Sequence, residues 1–248
     1  MSTDWWQTFF SGIVLDMWQQ AVPQVYTRAE AEFMSSLLHL PPGARILDAP
    51  CGDGRIAREL AAKGYQLTGV DYAKNFLEAA RTKAKQRGLP IAFKQGDVRS
   101  LKFVEDFDAV ICWGNSFGYF DDPGNAAMLR SLARALKPGG RLVLDASSNA
   151  ESRLPNFRER EWARIGDILF LEENEFDHAE GRMITHYTFI RDGKKELRTG
   201  SHRIYTYREI CRMLEEAGFV RVKSYASLQK DPFKLGANQL LMEAIKTS

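Results

Sequence analysis

Apolar positions along this chain recur first with a helical period and then in short runs separated by helical stretches. Residues 1–20 carry Trp5, Trp6, Phe9, Phe10 and Trp18 and read as helical. Thr27 followed by Glu30 has the form of a capping box, and Phe33, Leu37 and Leu38 make an apolar stripe. A helix is therefore predicted from Thr27, stopping before Pro41-Pro42-Gly43. ARILDA, residues 44–49, is then a short buried strand, and DGRIARELAAKG is a helix closed by Gly64. QLTGVD is a second strand, followed by the helix KNFLEAARTKAKQRG. IAFKQGD, FDAVICW and GRLVLDA are further strands, with a helix around MLRSLARALK ahead of Pro138-Gly139-Gly140. This alternation predicts an α/β fold with a doubly wound, mostly parallel sheet covered on both faces. The ligand crevice of such a sheet lies at the carboxyl ends of its strands, where strand order reverses.

Residues 151–205 break the rhythm. DILFLEENEF, RMITHYTFI and ELRTGSHRIYT read as extended segments joined by turns at His178–Gly181 and Asp192-Gly193, an antiparallel β-meander inserted into the α/β scaffold. A helix from Thr206, stopped by Gly218, resumes the alternation. The last two strands, FVRVKSY and NQLLMEAI, are separated by about ten irregular residues, too few for a crossover helix, so an antiparallel last strand is expected. The chain thus divides into an N-terminal helical segment (1–40), an α/β domain (41–150 and 206–248) and the inserted meander (151–205). Period-two alternation puts Ser201, Arg203 and Tyr205 on one face of SHRIYT, and His202 and Ile204 on the other. In MITHYTF, His186 shares a face with Ile184 and Thr188, and Tyr187 with Thr185 and Phe189. One of these faces roofs the pocket. His186 and His202 read as solvent-facing or structural.

With 248 residues there is one substantial core, and a formal net charge of +2 gives no electrostatic case for nucleic acid or an anionic membrane. The three cysteines, Cys51, Cys112 and Cys211, lie far apart with no CxxC and no paired histidines. That spacing argues against a metal site or a disulfide framework and suits a reducing, cytoplasmic compartment. MSTDWWQTFF lacks the pattern of a signal peptide, and no apolar run approaches ~18 residues, so no membrane span is expected.

The candidate chemistry begins at ILDAPCGDGRIA. Gly52 and Gly54 permit a tight turn and close approach of the backbone to a ligand, and Asp71, ending the second strand, is placed to accept from two ribose hydroxyls. NAD and several nucleoside cofactors share those features. Asp48 and Asp53 on either side of the turn separate them: a pyrophosphate wants N–H groups and positive potential there, whereas a ligand with cationic sulfonium and ammonium groups is attracted. Asp48 also reads as a loop-capping carboxylate, and Asp53 as mainly a helix cap.

These stretches resemble the class I S-adenosylmethionine-dependent methyltransferases, and the resemblance covers nearly the whole chain. ILDAPCGDG matches the family's glycine motif with Pro50 at its first glycine, VDYA its acidic strand end, QGDVRSL the segment after the third strand, and LKPGGRLVLD the turn into the fifth. The resemblance implies a Rossmann-like fold and S-adenosyl-L-methionine as cofactor, held by the turn Asp48, Ala49, Pro50, Cys51, Gly52 and Gly54. It further implies Asp71 at the ribose, Tyr72 flanking the adenine, Asp97 on the adenine amino group and Val98 on the ring edge. FDAVICWGNSFGYF matches the fourth strand and its loop, where Trp113 offers its carbonyl to the ammonium group and Asn115 joins the cofactor site.

More narrowly, WWQTFF, TRAEAEF, NSFGYF and SHRIYT resemble bacterial small-molecule methyltransferases, with glycine N-methyltransferases and sugar N,N-dimethyltransferases as relatives. In such proteins an N-terminal helical lid closes over the cofactor, and an arginine near the first long helix holds the methionine carboxylate; by resemblance that arginine is Arg28. Tyr119 matches a position near the acceptor, where it orients the nucleophile or takes its proton, or else is ordinary core packing. Arg203 and Tyr205 are candidates for binding an acidic or hydroxylated acceptor, although Arg203 equally suits a surface carboxylate. The expected function is transfer of a methyl group to N or O of a small-molecule acceptor. Competing readings are a NAD-dependent oxidoreductase, a nucleic-acid or protein methyltransferase (against which the Asn-Pro-Pro-aromatic motif is absent) and a non-catalytic binding module.

Overall fold

The computed structural model describes residues 4–247. The chain begins with two short helices, α1 (Trp6–Phe9) and α2 (Ile13–Ala21), and a longer one, α3 (Gln24–Leu38). The α/β alternation follows as β1 (Arg45–Asp48), α4 (Arg55–Ala62), β2 (Gln66–Asp71), α5 (Lys74–Gln86), β3 (Ala92–Gln95), β4 (Phe107–Cys112), α6 (Asp122–Ala135) and β5 (Leu136–Asp145). A short α7 (Ala150–Arg153) leads into β6 (Arg160–Ile165), β7 (Ile168–Asp177), β8 (Arg182–Arg191) and β9 (Lys194–Arg203). The chain ends with α8 (Tyr207–Glu216), β10 (Phe219–Tyr225) and β11 (Leu241–Lys246).

Seven strands form one sheet in the order β10-β11-β5-β4-β1-β2-β3, in which β11 runs antiparallel to both neighbours. The expected doubly wound sheet with a reversed last strand is therefore present. Strand order reverses beside β1, which pairs in parallel with both β2 and β4. Successive side chains of the central strands enter opposite cores. Leu47 and Val110 join the cluster with Leu129 and Leu142, while Ile46, Ala109 and Ile111 pack with Phe33, Leu37 and Leu60.

β6 to β9 form a separate four-stranded antiparallel sheet. The turn between β8 and β9 sets both Asp192 (φ 51°) and Gly193 (φ 71°) in the left-handed region, as a two-residue hairpin requires. β6 was not legible as a strand: its residues are exposed at every position except Ile165, so it shows no alternation of burial. No helix among the described residues is long and apolar enough to cross a membrane.

The aromatic N-terminus is helical as expected, in two pieces, residues 1–3 of that expectation lying outside the described residues, while the expected start of the next helix fails. The aromatic segment is broken by Gly12 (φ 59°), which separates α1 from α2. α3 starts three residues earlier than the Thr27-Glu30 pattern implies, after Pro23 in an extended conformation, with no side-chain cap. Thr27 and Glu30 thus lie inside the helix, both buried. The cap motif that forms is at α8, where Thr206 Oγ1 accepts from the Glu209 N–H (3.2 Å) and Glu209 accepts from the Thr206 N–H (2.7 Å). Replacing Thr206 with Ala should lower the unfolding free energy by about 1 kcal/mol in urea denaturation, and an unchanged midpoint would contradict that role.

Candidate functional site

A cavity opens at the carboxyl ends of β1, β2 and β4, covered by α1 and α2. Of the residues expected at the cofactor, Asp48, Pro50, Cys51, Gly52, Asp71, Tyr72, Asp97, Val98 and Trp113 all line it. Adjacent strands bring the two acidic groups together: Asp48 is paired with Gly69 across β1 and β2, and Asp71 ends β2.

Both carboxylates are buried, Asp48 at 2% exposure and Asp71 at 7%. Asp71 accepts from the Gly52 N–H (2.7 Å) through Oδ2 and from the Ala73 N–H (2.8 Å) through Oδ1, so the strand end also clamps the glycine turn. Burial nevertheless pushes its carboxyl up to about 6, against the opposing effect of those N–H groups. Asp48 is the more extreme case. Burial pushes it up to about 7; Arg55 opposes that shift and the neighbouring charge of Asp71 adds to it. The Ala57 N–H also opposes the shift, while Oδ2 has no hydrogen-bond partner among the described residues. A buried carboxylate oxygen left unpaired on a cavity wall is the signature of a missing positive or donor group.

Several sequence expectations need correction. Gly54 and Ala49 do not line the cavity but shape the turn. A Cβ on Gly54 (φ 71°) would meet the Phe93 ring at 2.8 Å, and the Ala49 N–H is spent on the Ile111 carbonyl (2.9 Å). Asp53 does not cap α4, whose N-cap is Gly54; its carboxylate pairs instead with Lys83 Nζ (2.6 Å) and Arg58 (3.8 Å). Asp97 borders the cavity with both oxygens engaged by Arg99, whose hydrogen bonds hold its carboxyl below the usual range despite burial. Trp113 presents its ring, but its carbonyl already accepts from Ser116 Oγ (3.3 Å) and its Nε1 donates to Glu30 (2.7 Å).

Arg28 lies outside the cavity, its side chain 69% exposed and 3.9 Å from Glu59. Because α3 begins earlier than expected, its inward stripe carries Thr27 and Glu30, and Arg28 turns outward. The guanidinium on the cavity wall belongs to Arg55, the first residue of α4, held by Glu30 and by Thr27 Oγ1 (3.4 Å). The sequence carried that signal inside the glycine motif itself, at GDGR.

A second cavity shares Phe10, Trp18, Gly114 and Tyr119 with the first. It lies under the inner face of the four-stranded sheet and is lined by Tyr187, Thr185 and His202. The roofing face is therefore the one that carries His202, opposite to that of Arg203 and Tyr205. Arg203 donates to the carbonyls of Gly181 (3.2 Å) and Ile204 (2.8 Å) and to Asp122 (3.1 Å), while its guanidinium lies over the Tyr205 ring. Tyr205 is buried, with its hydroxyl donating to Asp122 (2.7 Å) and accepting from Asn125 Nδ2 (3.1 Å). Neither residue lines either cavity, so the catalytic assignment of both is withdrawn. Asn115 borders only the second cavity, its amide exchanging two hydrogen bonds with Ser148.

Tyr119 does stand between the cavities. Its ring meets Trp5 (centroids 4.9 Å apart) and His202 (4.7 Å), and burial pushes its phenol above the ordinary range. Sequence reasoning missed His202, whose imidazole is pushed down to about 3 by burial and by the charges of Arg153 and Arg182. Trp6, expected with Trp5 as a lid residue or as a clamp for the N-terminal helix, lines the first cavity and packs edge-on against Tyr72 (4.7 Å). Tyr205→Phe should cost about 1–2 kcal/mol of stability by removing a shared buried hydroxyl, yet leave ligand affinity in both cavities unchanged; calorimetric loss of affinity would restore a direct role.

Residues 46–140 match the family described as a methyltransferase domain. A ubiquinone biosynthesis O-methyltransferase from Xanthomonas axonopodis pv. citri (strain 306) is 32% identical over 54% of this chain and 57% of its own length. The chain spans about half the length of curated relatives such as this one. Among solved structures, the CcbJ methyltransferase from Streptomyces caelestis has a TM-score of 0.80 at 18% identity, covering 98% of this chain and 99% of that one. CalS10, an amino pentose methyltransferase from Micromonospora echinaspora, has a TM-score of 0.72 at 19% identity, covering 96% and 98%. Residues 46–140 thus match a methyltransferase domain, and the chain as a whole has the fold of these solved methyltransferase structures.

Proposed function

We propose that the protein transfers a methyl group from S-adenosylmethionine to nitrogen or oxygen of a small-molecule acceptor. The observation that carries this reading is Asp48 Oδ2, buried on the wall of the first cavity without a partner. An ionised carboxylate so placed is costly, and a cation in the cavity offsets the cost. A dinucleotide would instead bring phosphates beside Asp48, Asp53 and Asp71, which disfavours NAD. The relatives' own names, an O-methyltransferase and an amino pentose methyltransferase, support a small acceptor without deciding its atom.

The cofactor, when bound, supplies a methyl group on a sulfonium, a leaving group already activated. The chain's residues have the simpler tasks of alignment and water exclusion. Asp71, with its oxygens oriented by Gly52 and Ala73, takes the ribose hydroxyls. Tyr72, Asp97 and Val98 border the adenine, while Arg55, steadied by Glu30, takes the carboxylate of the methionine arm. Phe10, Trp18, Gly114 and Tyr119 form the partition across which the acceptor meets the methyl group. Tyr119, kept protonated at neutral pH, orients the nucleophile by a hydrogen bond rather than acting as a phenolate base. The acceptor cavity, about 200 Å³, is small even for a metabolite site. We assign the reaction to the cytosol, which suits three buried free cysteines.

Isothermal titration with S-adenosylmethionine should give at least tenfold weaker binding for Asp48→Asn and for Asp71→Ala, with both variants folded. Unchanged affinity would remove the contact assigned to each residue. Binding the cation requires Asp48 ionised, and its carboxyl in the free protein is pushed up to about 7. Protonation therefore competes with the ligand as pH falls through that value, and affinity should weaken about tenfold between pH 8 and pH 6. The Asp48→Asn variant should lose most of that dependence.

A further inference from the structure

The second cavity contains polar groups of two kinds. Some are satisfied within the wall: the Asn115 amide by Ser148, and Thr185 Oγ1 by Asn174 Oδ1 (2.7 Å). Others are not. Arg153, an exposed residue at the rim, and the half-buried Glu172 line the cavity, and neither side chain makes a hydrogen bond or a salt bridge among the described residues. The sheet register separates the two ends of the cavity. His202 pairs with Met183 and Glu172 with Tyr187, partners about 13 Å apart along β8 at roughly 3.4 Å per residue. His202, against Tyr119, is thus at the end shared with the cofactor cavity. Burial raises the Glu172 carboxyl, and the nearby charge of Arg153 opposes that shift.

We propose, building on the methyltransferase reading above, that this cavity takes a small amine that also bears an acidic group. The amine nitrogen donates a hydrogen bond to His202 beside Tyr119, and the acidic group meets Arg153. The walls between them are aromatic, Trp5, Phe9 and Tyr187 among them, and suit a compact ring joining the two groups.

Proton balance favours nitrogen over oxygen at the His202 end. In the transfer the nitrogen lone pair forms the new C–N bond, and the C–S bond returns its electron pair to sulfur. The acceptor reacts as its neutral amine, the ammonium proton having passed to water before the step, and the product nitrogen keeps its own proton as an ammonium until it is released to water. An alcohol would need to lose its proton during the step, and neither of the two groups in contact at the partition, His202 and Tyr119, is suited to take it. His202 is pushed down to about 3 and Tyr119 is pushed up, so the one does not hold a proton at neutral pH and the other does not give its own up. A neutral imidazole still accepts a hydrogen bond and so orients an amine.

The test uses the intact protein, labelled S-adenosylmethionine and three probes: 3-(aminomethyl)benzoate, 3-(hydroxymethyl)benzoate and benzylamine. The amino acid probe should be methylated at least tenfold faster than the alcohol and with a KM at least tenfold below that of benzylamine. Calorimetry should show Arg153→Gln binding the two amines equally. His202→Leu should lower kcat at least tenfold for both amines while leaving cofactor affinity unchanged. Equal rates for the alcohol, an Arg153→Gln protein that still prefers the acid-bearing amine, an unaltered kcat in His202→Leu, or no labelled product from any probe despite cofactor binding would each overturn the proposal. Failure to bind S-adenosylmethionine at all would instead overturn the reading on which it rests.

Discussion

The structure turns on a desolvated carboxylate. Asp48 ends the strand next to the point where the sheet reverses its order, and the chain then wraps its glycine turn over that end. Burial deprives that carboxylate of ordinary solvation, and among the described residues the cation that opposes the resulting shift is Arg55, itself tied to Glu30. The protein thereby holds an acid poised between its two protonation states, and what tips it is the charge of whatever occupies the cavity. Asp71, one strand away, is in the same condition but spends its lone pairs on the turn. Asp71 thus clamps the turn with both oxygens, whereas Asp48 has the Ala57 N–H beside it and an Oδ2 without a partner among the described residues.

Much of this was legible because it is local. The strand ends, the glycine turn and the acidic end of β2 lie within a short stretch of sequence whose periodicity and turn chemistry read directly. The hairpin at Asp192-Gly193 and the reversed β11 were likewise read from turn residues and connection length. The failures share a different cause. In α3 the inward stripe includes Thr27 and Glu30, polar residues that look like a helix start until their burial partners, Arg55 and Trp113, are seen across the fold. Misplacing the helix start favoured Arg28, one residue and about 100° away from the inward Thr27.

The meander shows the same limit in another form. Alternation correctly separated His202 from Arg203, but a strand polar on both faces does not say which face is covered. That is decided by the N-terminal segment: Trp5 donates to the Ser201 carbonyl (3.0 Å), and its ring lies near Gly200 and His202. A side chain on Gly200 would intrude between Trp5 and Tyr187, so the small residue and the indole select the roofing face together.

The same segment joins the two cavities. Trp5 lines the second and its neighbour Trp6 the first, because consecutive helical residues point about 100° apart, and Phe10 and Trp18 border both. The partition between cofactor and acceptor is thus built largely from one short aromatic stretch, with Gly114 and Tyr119 completing it from the sheet side. Because these rings are shared, a substitution that moves one of them alters both compartments, and the separation of the two binding steps rests on the residues that are not shared. Those are Asp48, Asp71 and Arg55 on the cofactor side, and His202 and Arg153 on the other. In the proposed reaction the division of labour would follow: buried acids would meet a cationic donor on one side, and on the other a neutral imidazole beside the Arg153 guanidinium would leave the acceptor's own lone pair as the nucleophile.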